Sequence, residues 1–340
     1  MIKIDGGFGE GGGQVVRSAI TISSIINKPV RIENIRKNRK VTGLRPQHLT
    51  AIRILQKVCN ADVKGAEIGS SELEFFPKKI KNTSLTEDVG TAGSISLILQ
   101  VLVPVFAICN AKLNLTIKGG TDGKWSPTIN YTSHILKEAY SRMGIEFSID
   151  VIKRGYYPKG GGIVNAIVYP SKKVIPLLLS KRSTNAVDLI CSYSKLSKNN
   201  ILDKINNITE SLHNNGFSVQ SKINQDDALD KGATILAYTI DSRSIIGIDS
   251  LFDFQTHDFT ENISEKIIQN DFGVDDNLAD MIVVPASMAD GLSKIRLKNI
   301  SKHLETNLFV ASKMTGCKYG IGKINGGYEL RIEGISNSSI

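Results

Sequence analysis

Gly9-Glu10-Gly11-Gly12-Gly13-Gln14-Val15-Val16-Arg17-Ser18 joins a glycine-rich loop to an apolar periodicity, and the rest of the chain reads outward from it. Consecutive glycines let the backbone take conformations closed to other residues and approach a ligand closely. Val16, Ala19, Ile20 and Ile26 then recur at helical spacing until Pro29, which predicts a helix over Gln14–Ile26. A loop entering a helix presents unpaired N–H groups, a natural seat for phosphate. The glycine spacing is neither a Walker loop nor a dinucleotide fingerprint. Instead the run carries its own polar set. Gln14 and Arg17 fall on one helix face, with Glu10 at the helix entrance.

Around this stretch lie 340 residues, enough for two domains or for one large domain with an insertion. Hydrophobic content of 41% and charged content of 22% fit a globular protein. The longest apolar run, Ile95 to Cys109, is interrupted by Gln100 and Pro104, so no membrane span is expected. Cys59, Cys109, Cys191 and Cys317 are scattered without metal or redox spacing, which points to reduced thiols and a cytoplasmic setting. A net charge of +9 favours an anionic partner, nucleic acid or nucleotide.

One order of elements occurs three times. In the first unit the Gln14–Ile26 helix is followed by a strand at Pro29–Ile35 and the basic loop Arg36-Lys37-Asn38-Arg39-Lys40. A helix over His48–Cys59 and strands at Ala61–Ala66 and Glu72–Phe76 complete it. The second has a helix at Ala92–Ala107, a strand at Lys112–Lys118, the loop 119–124, a helix at Ile129–Met143, and strands at Glu146–Val151 and Ile163–Tyr169. The third has a helix at Leu278–Met288, a strand at Lys294–Lys298, the loop 299–302, a helix at His303–Met314, and strands at Lys318–Ile321 and Tyr328–Ile335. Residues 182–272 do not fit the unit. Strands at Ala186–Ser192, Phe217–Lys222 and Ala233–Ile240, a helical stripe of Ile201, Ile205, Ile208 and Leu212, and a partly helical Ser250–Gln269 suggest a small inserted α/β domain with no chemical signal of its own. The expected fold is therefore mixed α/β, of the α+β kind. Residues 1–181 and 273–340 would form a large three-repeat catalytic domain, with 182–272 inserted into it.

If the three units pack about a common axis, equivalent loops converge. They would bring together Glu10, Gln14, Arg17, Arg36 and Arg39 from the first unit, Ser94, Gln100, Thr121 and Asp122 from the second, and Asp276, Asp280 and His303 from the third. Cations, carboxylates and one imidazole suit phosphoryl or nucleotidyl transfer. His48 could touch substrate or merely cap its helix, and Trp125 could stack on a base or pack in a core.

The opening run, with Ile35–Lys40, Gly43-Leu44-Arg45-Pro46-Gln47-His48-Leu49-Thr50, Gly119–Asp122, Gly155–Gly162 and His303-Leu304-Glu305-Thr306-Asn307, resembles the RNA 3′-terminal phosphate cyclase family from end to end. The resemblance implies three repeats like those of the C-terminal domain of a translation initiation factor, with an inserted thioredoxin-like domain. It implies a ligase-type reaction in which ATP adenylylates a histidine, AMP passes to an RNA 3′-phosphate, and the neighbouring 2′-hydroxyl closes a 2′,3′-cyclic phosphate. By motif, His303 looks like the nucleophile and Glu10 like the ligand of Mg²⁺ or Mn²⁺. Arg17, Arg36 and Arg39 look like phosphate and RNA-end contacts, and Gln47 like a residue near the active site. Gln100, Pro127 and Asn277-Leu278-Ala279-Asp280-Met281 look like ATP-binding positions. Many members have an aromatic or histidine in place of Asn277 and glutamine in place of Met281, so the adenine contact differs here. The resemblance leaves oligomeric state open. A catalytically silent relative binding pre-rRNA would lack the nucleophile, and the motifs of enolpyruvyl transferases, which have similar repeats, are absent.

Overall fold

The computed structural model describes residues 1–336. The first sheet is assembled from β1 (Ile2–Asp5), α1 (Gly13–Ile26), β2 (Val30–Glu33), α2 (Pro46–Cys59), β3 (Asp62–Lys64) and β4 (Leu73–Phe76), in strand order β1-β2-β4-β3. The second follows as β5 (Thr83–Asp88), α3 (Ile95–Ile108), β6 (Leu113–Gly119), α4 (Ile129–Tyr131), a π-helical turn Thr132–Leu136, α5 (Lys137–Arg142), β7 (Phe147–Lys153) and β8 (Gly162–Val168), in order β5-β6-β8-β7. The short strand β9 (Leu178–Leu179) comes next.

A five-stranded sheet follows. It comprises β10 (Ala186–Ser194), α6 (Lys198–Asn214), β11 (Ser218–Gln225), β12 (Gly232–Asp241), β13 (Ser244–Asp253), β14 (Asp258–Phe259) and α7 (Ile263–Gln269), in strand order β11-β10-β12-β13-β14. The chain closes with α8 (Asp276–Met281), α9 (Val283–Ser287), β15 (Leu292–Leu297), α10 (Lys302–Thr315), β16 (Lys318–Ile324) and β17 (Gly327–Glu333). Strands β16-β17-β15-β9 make the last sheet.

The three four-stranded sheets share one pattern of senses. An edge strand runs parallel to its neighbour, and two antiparallel pairings follow. The edge strands β1, β5 and β9 escaped the sequence reading for a physical reason. β1 and β9 are too short to show alternation, and β5 is polar or half-exposed along its length. The stretch Ser250–Gln269 is helical in part, as expected. Ser244–Asp253 is a strand, Ser250 lies within it, and helix occurs only at Ile263–Gln269. The third-unit helix splits into α8 and α9.

Helix α1 is the central element, packed against α3 and α10. Its small hydroxyl residues tolerate burial because Thr21 and Ser24 donate to the carbonyls of Arg17 and Ile20 at 2.7 and 2.8 Å, one turn back. Asn27 ends it in the left-handed region at φ 50°, as a short polar residue can. α3 is buried nearly all round despite Pro104.

Residues from β10 to α7 carry a separate apolar cluster that includes Leu189, Ile205, Ile235 and Ile267. Where the chain passes into and out of this stretch, the two crossings pair. Lys181 bridges Phe272, and the Arg182 N–H donates to the Asp271 carbonyl at 2.9 Å. Arg154 clamps the stretch to the second unit, reaching Asp122 at 3.0 Å, Asn130 at 2.5 Å and Asp226 at 3.2 Å. Among the described residues no helix is long and apolar enough to cross a membrane.

Candidate active site

The loop before α1 is glycine because two other helices crowd it. A Cβ on Gly9 would sit 2.3 Å from Thr306 Oγ1 of α10, and one on Gly13 would sit 2.0 Å from His48 Nε2 of α2. The backbone N–H of Glu10 donates to Thr306 Oγ1 at 3.2 Å, which pins the head of the chain to its tail.

Helix α10 starts at Ser301, whose hydroxyl accepts from Leu304 N at 2.9 Å and donates to Asp280 Oδ1 at 2.6 Å. His303 therefore stands on the first turn, with Nδ1 3.2 Å from Glu10 Oε2. Glu10 also pairs with Arg39 from the basic loop. Gln14 accepts from Arg17 and donates to Asn307 Oδ1 at 3.0 Å, and Asn307 donates to the Asp280 carbonyl at 2.8 Å. Residues from α1, α8 and α10 are thus tied into one network beneath the imidazole.

The network forms one wall of a cleft of about 690 Å³. Gln14, Arg17, Asp280, Met281 and His303 lie on it together with Gln100, Pro127 and Asn277. Leu278 and Ala279 do not; both are fully buried and hold α8 in place. Arg36 turns away to donate to the Val41 carbonyl at 3.3 and 3.2 Å. Gln47 is exposed and rests near Gly93 rather than on the cleft. Thr121 and Asp122, expected to converge on the cleft, are buried; Thr121 donates to Asp122, which also takes a hydrogen bond from Arg154. Trp125 is on the cleft rim and 96% exposed, so it is no core residue.

A second part of the lining had no counterpart in the sequence reading. Asp249, Ser250 and Leu251 of β13, with Thr260, Glu261 and Lys266, line the cleft. Asp249 fastens that wall by accepting from Thr128 N at 2.7 Å.

Burial sets the electrostatics. It lowers the His303 imidazole below its ordinary range; Arg17 and Arg39 push the same way and Asp280 opposes them. The imidazole is accordingly neutral at pH 7, although it faces a carboxylate. Burial raises the Asp280 carboxyl, against the hydrogen bond from Ser301 and the nearby His303. Arg17 is lowered by burial only to about 10 and stays charged. His48 is lowered to about 3 by burial and by Arg17, Arg36 and Arg45. Its Nδ1 accepts from Arg45 N at 3.1 Å, so Nε2 carries the proton.

Among the described residues no three His, Cys, Asp or Glu side chains converge as a metal cage. Glu10 Oε2, however, is buried and, although 3.2 Å from His303 Nδ1, makes no well-aligned hydrogen bond.

The signature of the family described as RNA 3′-terminal phosphate cyclase matches residues 8–321. A protein of that name from Methanococcoides burtonii is 37% identical, with 98% of this chain and 100% of its own length covered. Another from Pyrobaculum aerophilum is 34% identical over 98% of both chains, and one from Saccharolobus solfataricus is 37% identical over 94% of this chain and 96% of its own. With the match running almost from end to end, the chain belongs to the RNA 3′-terminal phosphate cyclase family.

Proposed function

We propose that this protein is an ATP-dependent RNA 3′-terminal-phosphate cyclase of the ligase class that works by nucleotidyl transfer through His303. The observation that carries the reading is an imidazole on the cleft wall with Nδ1 3.2 Å from the Glu10 carboxylate, where burial favours its neutral form. That carboxylate favours the Nδ1–H tautomer, which leaves the Nε2 lone pair to attack the α-phosphorus of ATP. A phosphoramidate N–P bond forms and the bond to pyrophosphate breaks. An oxygen of the RNA 3′-phosphate then displaces the imidazole, giving RNA-(3′)pp(5′)A. Attack of the 2′-hydroxyl on the 3′-phosphorus expels AMP and closes the 2′,3′-cyclic phosphodiester.

Arg17, still charged on the cleft wall, offsets phosphate charge, with Arg39 beside Glu10 and Arg36 further along the basic loop. Gln47 belongs to this RNA-end face. Gln100, Pro127, Asn277, Asp280 and Met281 line the nucleotide pocket, with Leu278 and Ala279 supporting it from within. The Glu10 carboxylate, whose buried Oε2 makes no aligned hydrogen bond although His303 Nδ1 lies 3.2 Å away, fits Mg²⁺ or Mn²⁺, which are commonly bound by one or two carboxylates plus substrate phosphates. Bound there, such an ion would neutralise charge on the phosphates.

The same reading takes residues 1–181 and 273–340 as three tandem repeats like those of the translation-factor domain. Residues 182–272 are then a thioredoxin-like insertion in a cytoplasmic protein. Its supports are the shared strand pattern of the three sheets, the separate apolar cluster and the paired crossings at 181–182 and 271–272.

The test is incubation with α-labelled ATP and a divalent ion. Wild type should acquire acid-labile, alkali-stable AMP, His303→Ala should acquire none, and a 3′-phosphorylated RNA should become cyclic only with wild type. Undiminished label on His303→Ala would reject the reading. Tight pre-rRNA binding with no label on wild type would favour a silent relative, against which the presence of His303 argues.

A further inference from the structure

Trp125 is the sole tryptophan of the chain and the residue is 96% exposed. Indoles gain more than most side chains by leaving water, and this one has been left in it. Its backbone is also held at φ 65°, the left-handed region that bulky residues seldom occupy. The loop that holds it is anchored on both sides. Ser126 Oγ donates to the Gly123 carbonyl at 3.0 Å, Thr128 N donates to Asp249 at 2.7 Å, and Asp122 is fixed under Arg154. Of the residues that line the cleft, Trp125 alone carries a benzenoid or indole ring, and Lys124 and Lys266 line it too. A bare ring face at the rim of a groove whose lining includes Arg17, Lys124 and Lys266 can hold a nucleobase by stacking without reading sequence.

We propose that Trp125 is a fixed stacking platform for a nucleobase of a ligand in the cleft. The proposal rests on the cyclase reading for its two possible donors of that base, the adenine of ATP and the end of the RNA.

Because there is one tryptophan, its emission reports the contact directly. The full chain would be titrated without divalent ion, so that no turnover occurs. The ligands are ATP, a short RNA with a 3′-phosphate, and two base-free controls, tripolyphosphate and ribose 5-phosphate. Quenching by ATP alone assigns the adenine, quenching by RNA alone assigns the RNA base, and either supports the platform. Equal quenching by the base-free controls overturns it, as does no quenching when filter binding shows ligand bound. Trp125→Ala should melt with wild type, since the ring is exposed, yet bind the quenching ligand about 5- to 100-fold more weakly. Trp125→Phe should recover most of that loss. Unchanged affinity in Trp125→Ala also overturns the proposal. The two readings separate cleanly: quenching without any AMP transferred to His303 retains the platform and removes the cyclase chemistry, whereas normal labelling without quenching does the reverse.

Discussion

His303 sits between opposing fields. Burial, Arg17 and Arg39 favour its neutral form, and Asp280 favours the charged one. Only the neutral form can attack phosphorus, so the rate of AMP attachment should fall as pH drops through the lowered pKa of His303. The signs follow from the charges. Removing Arg39 takes away a cation that disfavours imidazolium, so the pKa rises and the acid limb of the pH–rate profile moves to higher pH. Burial raises the Asp280 carboxyl to about 7, so it is largely protonated across the acid range, and Asp280→Asn should move the limb little. Single-turnover labelling across the acid range checks both variants. An acid limb left in place by the loss of Arg39 would mean that its charge does not set the imidazole.

At the level of elements, the segment between β7 and β8 matters more than its sequence suggests. Arg154 joins Asp122, whose side chain is wholly buried, to Asp226 of the five-stranded stretch. Arg154→Met should leave the Asp122 carboxylate without its cation and lower stability by about 3–5 kcal/mol in urea unfolding, with Arg154→Lys restoring only part of it because the fork is lost. A loss below about 1 kcal/mol would show the bridge to be incidental.

Asp122 also shows where the sequence ran out. It sits in a Gly-Thr-Asp run that looks like site chemistry, but whether its carboxylate faces ligand or an arginine 32 residues away is decided by packing. Helices α1 and α10 were legible because apolar spacing and local caps declare themselves within a dozen residues. The spacing of Glu10 and Arg17 about the start of α1 was readable in the same local way, whereas the placing of His303 3.2 Å from Glu10 depended on how the units pack. The place of Asp249 and Lys266 was not legible, because only the folding of β13 and α7 onto the same cleft as α8 gives them a site to line.

Over the whole molecule, a net charge of +9 gives RNA binding a large ionic component. If Arg17, Arg36 and Arg39 neutralise three phosphates of a single strand, log affinity should fall with log salt at a slope of about −2, roughly a 20-fold loss between 50 and 200 mM. Fluorescence anisotropy with a labelled 3′-phosphate RNA checks it, and Arg39→Ala should flatten the slope by about 0.7. A flat dependence would place the arginines away from the RNA.

The third four-stranded sheet pairs Leu178 with Lys294, residues 116 positions apart in the chain. A ribosome adding roughly 5–20 residues per second needs about 6–23 s to deliver the second strand after the first. Through that interval Leu178 and Leu179 wait without a mate, while the residues emerging between them already hold an apolar cluster of their own on which to collapse. Synthesis thus delivers every residue of that separate cluster before the second strand of the sheet it interrupts.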